Sequence, residues 1–241
     1  MFDIQRHYTA MGHYSIQQGI ESVHREMDLA LDAAERPRGS VSLLAVSKTQ
    51  PPEAIREAVR CGQYDFGENY LQEALHKQES LRDIEALIWH FIGPIQSNKT
   101  RQLAERFTWI HGIDRLKIAE RLNDQRPPAM GRLNVCIQVN ISGEATKSGV
   151  KPSAVATLAH QVHRLPHLRL RGLMAIPEVP HGVYEPRTAF RALRQLQEDL
   201  LPLPLDTLSM GMSNDFESAI LEGATIIRIG SRIFGARDRP V

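Results

Sequence analysis

The chain has 241 residues, 42% of them hydrophobic, with 29 basic against 28 acidic side chains and a formal net charge of +1. That balance excludes a broad electrostatic surface for nucleic acid or an anionic membrane, and no run approaches the ~18 apolar residues that span a bilayer. The opening MFDIQRHYTAMGHYS lacks the apolar segment of a secretory signal, and Cys61 and Cys136 sit far apart outside any CxxC, so the expectation is a cytoplasmic protein with reduced thiols.

Residues 1–13 carry no apolar periodicity and read as a flexible arm, leaving 14–241 as a single domain. From Tyr14 to Glu35, Ile16, Ile20, Val23, Met27, Ala30, Leu31 and Ala34 recur at three- and four-residue spacing. This predicts an amphipathic helix with Ser15 as N-cap and Pro37-Arg38-Gly39 as its stop. Val41 to Val46 follows as a short strand with almost no polar atoms, as in a parallel sheet covered on both faces.

A regular alternation then sets in. Helices are expected over Pro52–Cys61, Leu71–Ile84, Asn98–Phe107, Arg115–Asn123, Ser153–Leu165, Arg187–Leu200 and Asp215–Glu222, with a last turn over Ile233–Arg237. Strands are expected near 41–46, 64–67, 87–92, 107–111, 133–141, 168–176, 205–210 and 225–229. Eight alternating βα units in a chain of this length predict an α/β fold, a (β/α)₈ TIM barrel preceded by one extra helix. An open doubly wound sheet competes, but no GxGxxG follows an early strand.

In such a barrel, function sits in the loops after the strand C-termini. Lys48 follows the first strand in the segment AVSKT. An amine at the mouth of an apolar core sheds hydration, which favours the neutral nucleophile able to form a Schiff base. The loops after strands seven and eight, SMGMSND (209–215) and RIGS (228–231), combine glycines with Ser213 and Ser231 near helix starts, a pattern suited to a phosphate. Ser213 and Asp215 fit helix caps equally well. A reactive lysine beside a phosphate cradle fits pyridoxal 5′-phosphate. Arg228, at the end of strand eight, points into the core, toward the pyridine nitrogen or toward the phosphate; the residues alone leave these open.

The segments AVSKT (45–49), FGENYLQEA (66–74), WHFIGPIQSNKTR (89–101), IDRLKIAERLN (113–123), IQVNISGEATKSG (137–149), LRGLMAIP (170–177), LSMGMSNDFESAI (208–220) and RIGSRIFGAR (228–237) resemble the YggS/PROSC family of pyridoxal phosphate homeostasis proteins. The resemblance implies a barrel like the N-terminal domain of alanine racemase (fold type III). It also implies Lys48 as the Schiff-base lysine, Asn69 beside the ring, Met174 in the pocket, and Ser209, Ser213, Gly230 and Ser231 around the phosphate, with Arg228 as the family's strand-eight arginine. Many members carry a second lysine two positions after the first; here Gln50 stands there. Lys147 matches a family lysine.

Two functions follow from such a site. One is a carrier that stores, buffers or delivers pyridoxal phosphate, with pyridoxal-phosphate-dependent apoenzymes as acceptors and the chain as a monomer or weak dimer. The other is an amino-acid racemase, which needs an acid/base on each face of the α-carbon. Barrel racemases take the second from a tyrosine in a further domain, and the five tyrosines here (Tyr8, Tyr14, Tyr64, Tyr70, Tyr184) lie in no comparable segment. The expectation is therefore a carrier rather than an enzyme. A regulatory protein acting through contacts with such enzymes is a weaker third reading. The basic run Arg187-Arg191-Arg194 reads as a solvated helix face.

Overall fold

The structure, a computed structural model, describes residues 15–143, 148–177 and 186–235. The expected arm over 1–13, Lys147 and Tyr184 lie outside the described residues. The first described element is α1 (Ile16–Ala33), whose buried stripe is the expected one and whose first turn is closed by Gln18 N–H donating to Ser15 Oγ at 3.3 Å. Eight strands follow: β1 (Ser42–Val46), β2 (Asp65–Glu68), β3 (Ile88–Phe91), β4 (Trp109–Ile113), β5 (Leu133–Gln138), β6 (Leu168–Met174), β7 (Thr207–Ser209) and β8 (Ile226–Ile229). Between and after them run α2 (Pro52–Arg60), α3 (Leu71–Ser80), α4 (Thr100–Arg106), α5 (Leu116–Gln125), α6 (Val155–His163), α7 (Pro186–Glu198), α8 (Phe216–Leu221) and α9 (Ser231–Phe234).

Each strand pairs in parallel with the next, and β8 closes on β1 from Ser42↔Ile226 to Ala45↔Ile229. The result is a closed TIM barrel. The two-residue period of the strands divides its residues. Leu43, Ala45, Ile227 and Ile229 join the apolar faces of the helices in one continuous core. Leu44 and Ile226 belong instead to a second, three-membered cluster with Ile92, against which Val46 and Trp109 pack. Register carries that inner phase onward from Leu44 through Val46 to Lys48, and from Ile226 through Arg228 to Gly230.

Several expected boundaries move, those of the fifth strand, the third helix and the last turn among them. The fifth strand stops at Gln138 rather than Ile141; beyond it only Val139 bridges, to Val150. The third helix stops at Ser80, where Leu81 N–H caps on Lys77 O and Ile84 N–H turns back to Leu81 O. The last helix starts at Ser231 rather than Ile233, because the Gly230 carbonyl accepts both the Ile233 and Phe234 N–H groups. Cys61 and Cys136 are free thiols, and no helix among the described residues is long and apolar enough to cross a membrane.

Candidate functional site

Lys48 stands on a loop that is anchored on both sides. After β1 the Ser47 N–H donates to Gly67 O at 3.0 Å, and Gln50 N–H turns back onto Ser47 O at 3.0 Å. Thr49 lies at φ 65°, a left-handed conformation that a β-branched residue adopts only under restraint. The restraint is a buried charge cluster. Lys77, 2% exposed on α3, donates to Ser47 O at 2.6 Å, Glu68 Oε1 at 2.7 Å and Glu73 Oε1 at 2.5 Å. Ser47 Oγ donates to Glu68 Oε1 at 2.6 Å, and Thr49 N–H donates to Glu73 Oε1 at 2.5 Å. Burial pushes the Glu68 carboxyl up, while Lys77 pulls it back toward ionisation. Both neighbours of Lys48 are thus tied to one Lys–Glu–Glu unit, and the side chain between them is directed by it.

Lys48 is half-buried and lines an open cavity of about 180 Å³ at the C-terminal mouth of the barrel. Asn69, Ser213, Arg228, Gly230 and Ser231 line it too, so six of the eight residues expected at the site share one wall. Asn69 Oδ1 is buried there with no hydrogen-bond partner. Ser231, first residue of α9, donates its hydroxyl to Ser213 Oγ at 3.2 Å, joining the two loops expected to form the cradle. A Cβ on Gly230 would come within 3.2 Å of Val46 O, so glycine here keeps the approach to β1 open. Asp215 caps no helix with its side chain; its Oδ1 accepts from Met212 N–H at 2.6 Å and holds the loop after β7.

Met174 and Ser209 are elsewhere. Both are fully buried, their Cα atoms are paired between β6 and β7, and neither reaches the cavity wall. Ser209 instead accepts from Arg228 Nη1 at 2.8 Å, and Arg228 Nη2 donates to Ala175 O at 2.9 Å. Burial lowers the guanidinium to about 10, with the Asp215 charge opposing, so it stays a cation at neutral pH. Sequence reasoning missed the apolar wall, Ile92, Ile176, Met212 and Phe234. Ile92, Ile176 and Met212 fall within strand-end segments already singled out, and a choice by chemistry alone passed over them. Gln50, at the position where the resemblance implies a second lysine, lines the same cavity.

A parallel barrel with a lysine at the end of its first strand and hydroxyls at its last two corners defines a class, and the comparisons agree with it. The family model "Alanine racemase, N-terminal domain" matches residues 30–238. The pyridoxal phosphate homeostasis protein of Pseudomonas aeruginosa is 58% identical over 93% of this chain and 96% of its own length, and that of Escherichia coli K12 is 48% identical over 92% and 97%. The solved structure of PipY of Synechococcus elongatus with PLP bound superposes with a TM-score of 0.78 at 37% identity, covering 91% of this chain and 100% of that one. Alanine racemase of Corynebacterium glutamicum, at 19% identity and a TM-score of 0.64, shares the fold. The chain belongs to the family of pyridoxal phosphate homeostasis proteins.

Proposed function

We propose that this chain binds pyridoxal 5′-phosphate at Lys48 and holds it in an intracellular reserve from which pyridoxal-phosphate-dependent apoenzymes draw. The observation that carries this reading is the half-buried Lys48 sharing one 180 Å³ cavity with Ser213, Gly230 and Ser231. The donor set fits the group. The hydroxyls of Ser213 and Ser231 suit a phosphate, and Asn69 Oδ1, unpartnered among the described residues, is left to accept from a ligand. The names of the relatives and the PLP-bound PipY structure support the same ligand.

The cofactor supplies an aldehyde that condenses with a primary amine. The chain's own residues supply the rest. Lys48 offers the amine, aimed by the Ser47–Lys77 and Thr49–Glu73 bonds. Ser213, Gly230 and Ser231 receive the anionic tail. Arg228, two residues deeper on β8 than Gly230, would face the ring rather than the anionic tail, where a lasting cation would disfavour protonation of a ring nitrogen and weaken the ring as an electron sink. The ionisable side chains that the described residues give the cavity are Lys48 and Arg228. Holding is favoured over turnover.

Titration of the purified protein with pyridoxal phosphate is expected to produce a visible absorbance band, and borohydride is expected to fix the cofactor on Lys48 by peptide mass mapping. Lys48→Ala keeps the fold and loses both. A saturated wild-type protein that stays colourless, or amino-acid racemisation that disappears in Lys48→Ala, overturns the reading.

A further inference from the structure

The inner face of the barrel holds a line of polar side chains that neither the cavity nor the apolar core uses. Asp65, at the start of β2, accepts at Oδ1 from His90 Nε2 at 3.0 Å. His90 Nδ1 lies 3.0 Å from His111 Nε2, and His111 Nδ1 lies 2.8 Å from Ser209 Oγ. Ser209 then accepts from Arg228 Nη1 at 2.8 Å. The line enters at the N-terminal mouth, where Asp65 is 35% exposed, crosses from β4 to β7, and ends on the guanidinium in the cavity wall.

Proton counting gives this line one direction. Arginine has no acceptor, so Arg228 donates and the Ser209 oxygen accepts. A carboxylate has no donor, so His90 carries its proton on Nε2, facing Asp65. His90 Nδ1 is then an acceptor, which places the His111 proton on Nε2 and leaves His111 Nδ1 to accept the Ser209 hydroxyl. Every link is satisfied with both imidazoles neutral, and reversing any one sets two acceptors or two donors face to face. Burial pushes both rings below their ordinary range, in agreement. The rings are also locked mechanically. His90 stacks on Trp109 at 5.4 Å with 6° between planes, and the Arg171 guanidinium lies over the Trp109 ring, 4.7 Å from its centroid.

We propose that Asp65, His90, His111 and Ser209 are positioning residues for the bound cofactor, a one-way hydrogen-bonded relay that orients Arg228 toward the cavity and strengthens the acceptor that holds its charge there. The negative end sits on Asp65 at the opposite mouth of the barrel, and the polarised chain delivers it to Ser209. This inference rests on the cofactor reading above for its consequence and on the hydrogen-bond directions for its substance, so two measurements separate them.

The first needs no cofactor. Long-range ¹H–¹⁵N spectra of the imidazoles are expected to show Nε2–H tautomers at both His90 and His111, and Asp65→Asn is expected to shift the His111 nitrogens. An Nδ1–H tautomer at either ring, or His111 nitrogens indifferent to Asp65→Asn, overturns the relay. The second is titration with pyridoxal phosphate. Asp65→Asn, remote from the cavity, is expected to bind about threefold more weakly, and His90→Phe, which keeps a ring against Trp109, about tenfold, each with a displaced visible band. Wild-type affinity and band position in both variants also overturn it. A wild-type protein that takes up no cofactor sinks the cofactor reading instead, and the ring spectra still decide the relay.

Discussion

The two sides of the barrel wall obey different rules. Outside, between strands and helices, the core is continuous and apolar, with Phe66, Phe107, Phe190 and Phe216 at or near zero exposure beside Ala45, Ile110, Val135, Leu173 and Ile227 on the strands. Inside, the apolar cluster shrinks to Leu44, Ile92 and Ile226, and the remaining space goes to histidines, a serine and an arginine. TIM barrels ordinarily fill the interior with bulky branched residues. Here the outer layer supplies stability while the interior supplies alignment, and the polar groups persist because each has its partner. Substitutions outside should therefore cost the fold and spare the site, and substitutions inside should do the reverse.

The largest effect on stability is expected from Phe107→Ala, which removes a fully buried ring set edge-on against Phe91 at 5.4 Å. A loss of about 3–5 kcal/mol is expected by urea denaturation, with the cofactor band in the surviving folded protein unchanged. Lys77→Met tests the boundary between the two regions. It removes the cation from Glu68 and Glu73 and leaves the Ser47 carbonyl with Gln50 N–H alone, at a cost of about 3 kcal/mol. It also relaxes Thr49, so cofactor uptake at Lys48 should weaken together with stability. Adding Glu68→Gln should return part of the stability and none of the uptake.

A smaller effect belongs to Glu222, 2% exposed and bonded by Arg187 and Arg191 on α7. Burial raises its carboxyl, but the Arg191 and Arg187 bonds outweigh burial and hold it below its ordinary 4.5. A carboxyl depressed in the folded state stabilises in full above 4.5, and that contribution disappears as pH falls through the lower folded value. Glu222→Gln is expected to cost about 1 kcal/mol near neutrality and to flatten the acid side of the stability–pH curve. A curve parallel to wild type contradicts it. Least is expected from Asp65→Asn, below about 0.5 kcal/mol in denaturation, since Asp65 is partly exposed. If that variant unfolds as easily as Phe107→Ala, the division between wall faces is wrong.

How far these regions were legible in the chain follows the same division. The outer side writes itself in period: Ile16 to Leu31 at helical spacing, Leu43 to Val46 as an apolar run, with Ser15 at the helix start. Lys48 and the serines at 213 and 231 were readable because strand-end loops are where barrels place chemistry. Met174 and Ser209 were expected in the pocket because the family resemblance implies it, yet both are fully buried where β6 and β7 pair. The relay left a weaker trace. His90 and His111 each stand third in a short strand, but phase alone does not say which partner crosses the barrel. Lys77 was the most readable of the missed residues. It interrupts the buried stripe Leu71, Ala74, Lys77, and a lysine on the covered face of a helix announces a buried partner.

One contact made far from the cavity governs when the cavity can exist. A Cβ at Gly19 would lie 2.5 Å from the Arg232 carbonyl, so α1 rests directly on the backbone of α9, and Glu26 pairs with Arg232 across 206 positions of chain. The corner bearing Gly230 and Ser231 therefore takes its backing from α1, at the opposite end of the described chain. Such distant closure is slow to form. A growing chain carries Lys48 long before it carries the corner at Gly230 and Ser231, so the cavity between them can close only after that late contact has formed.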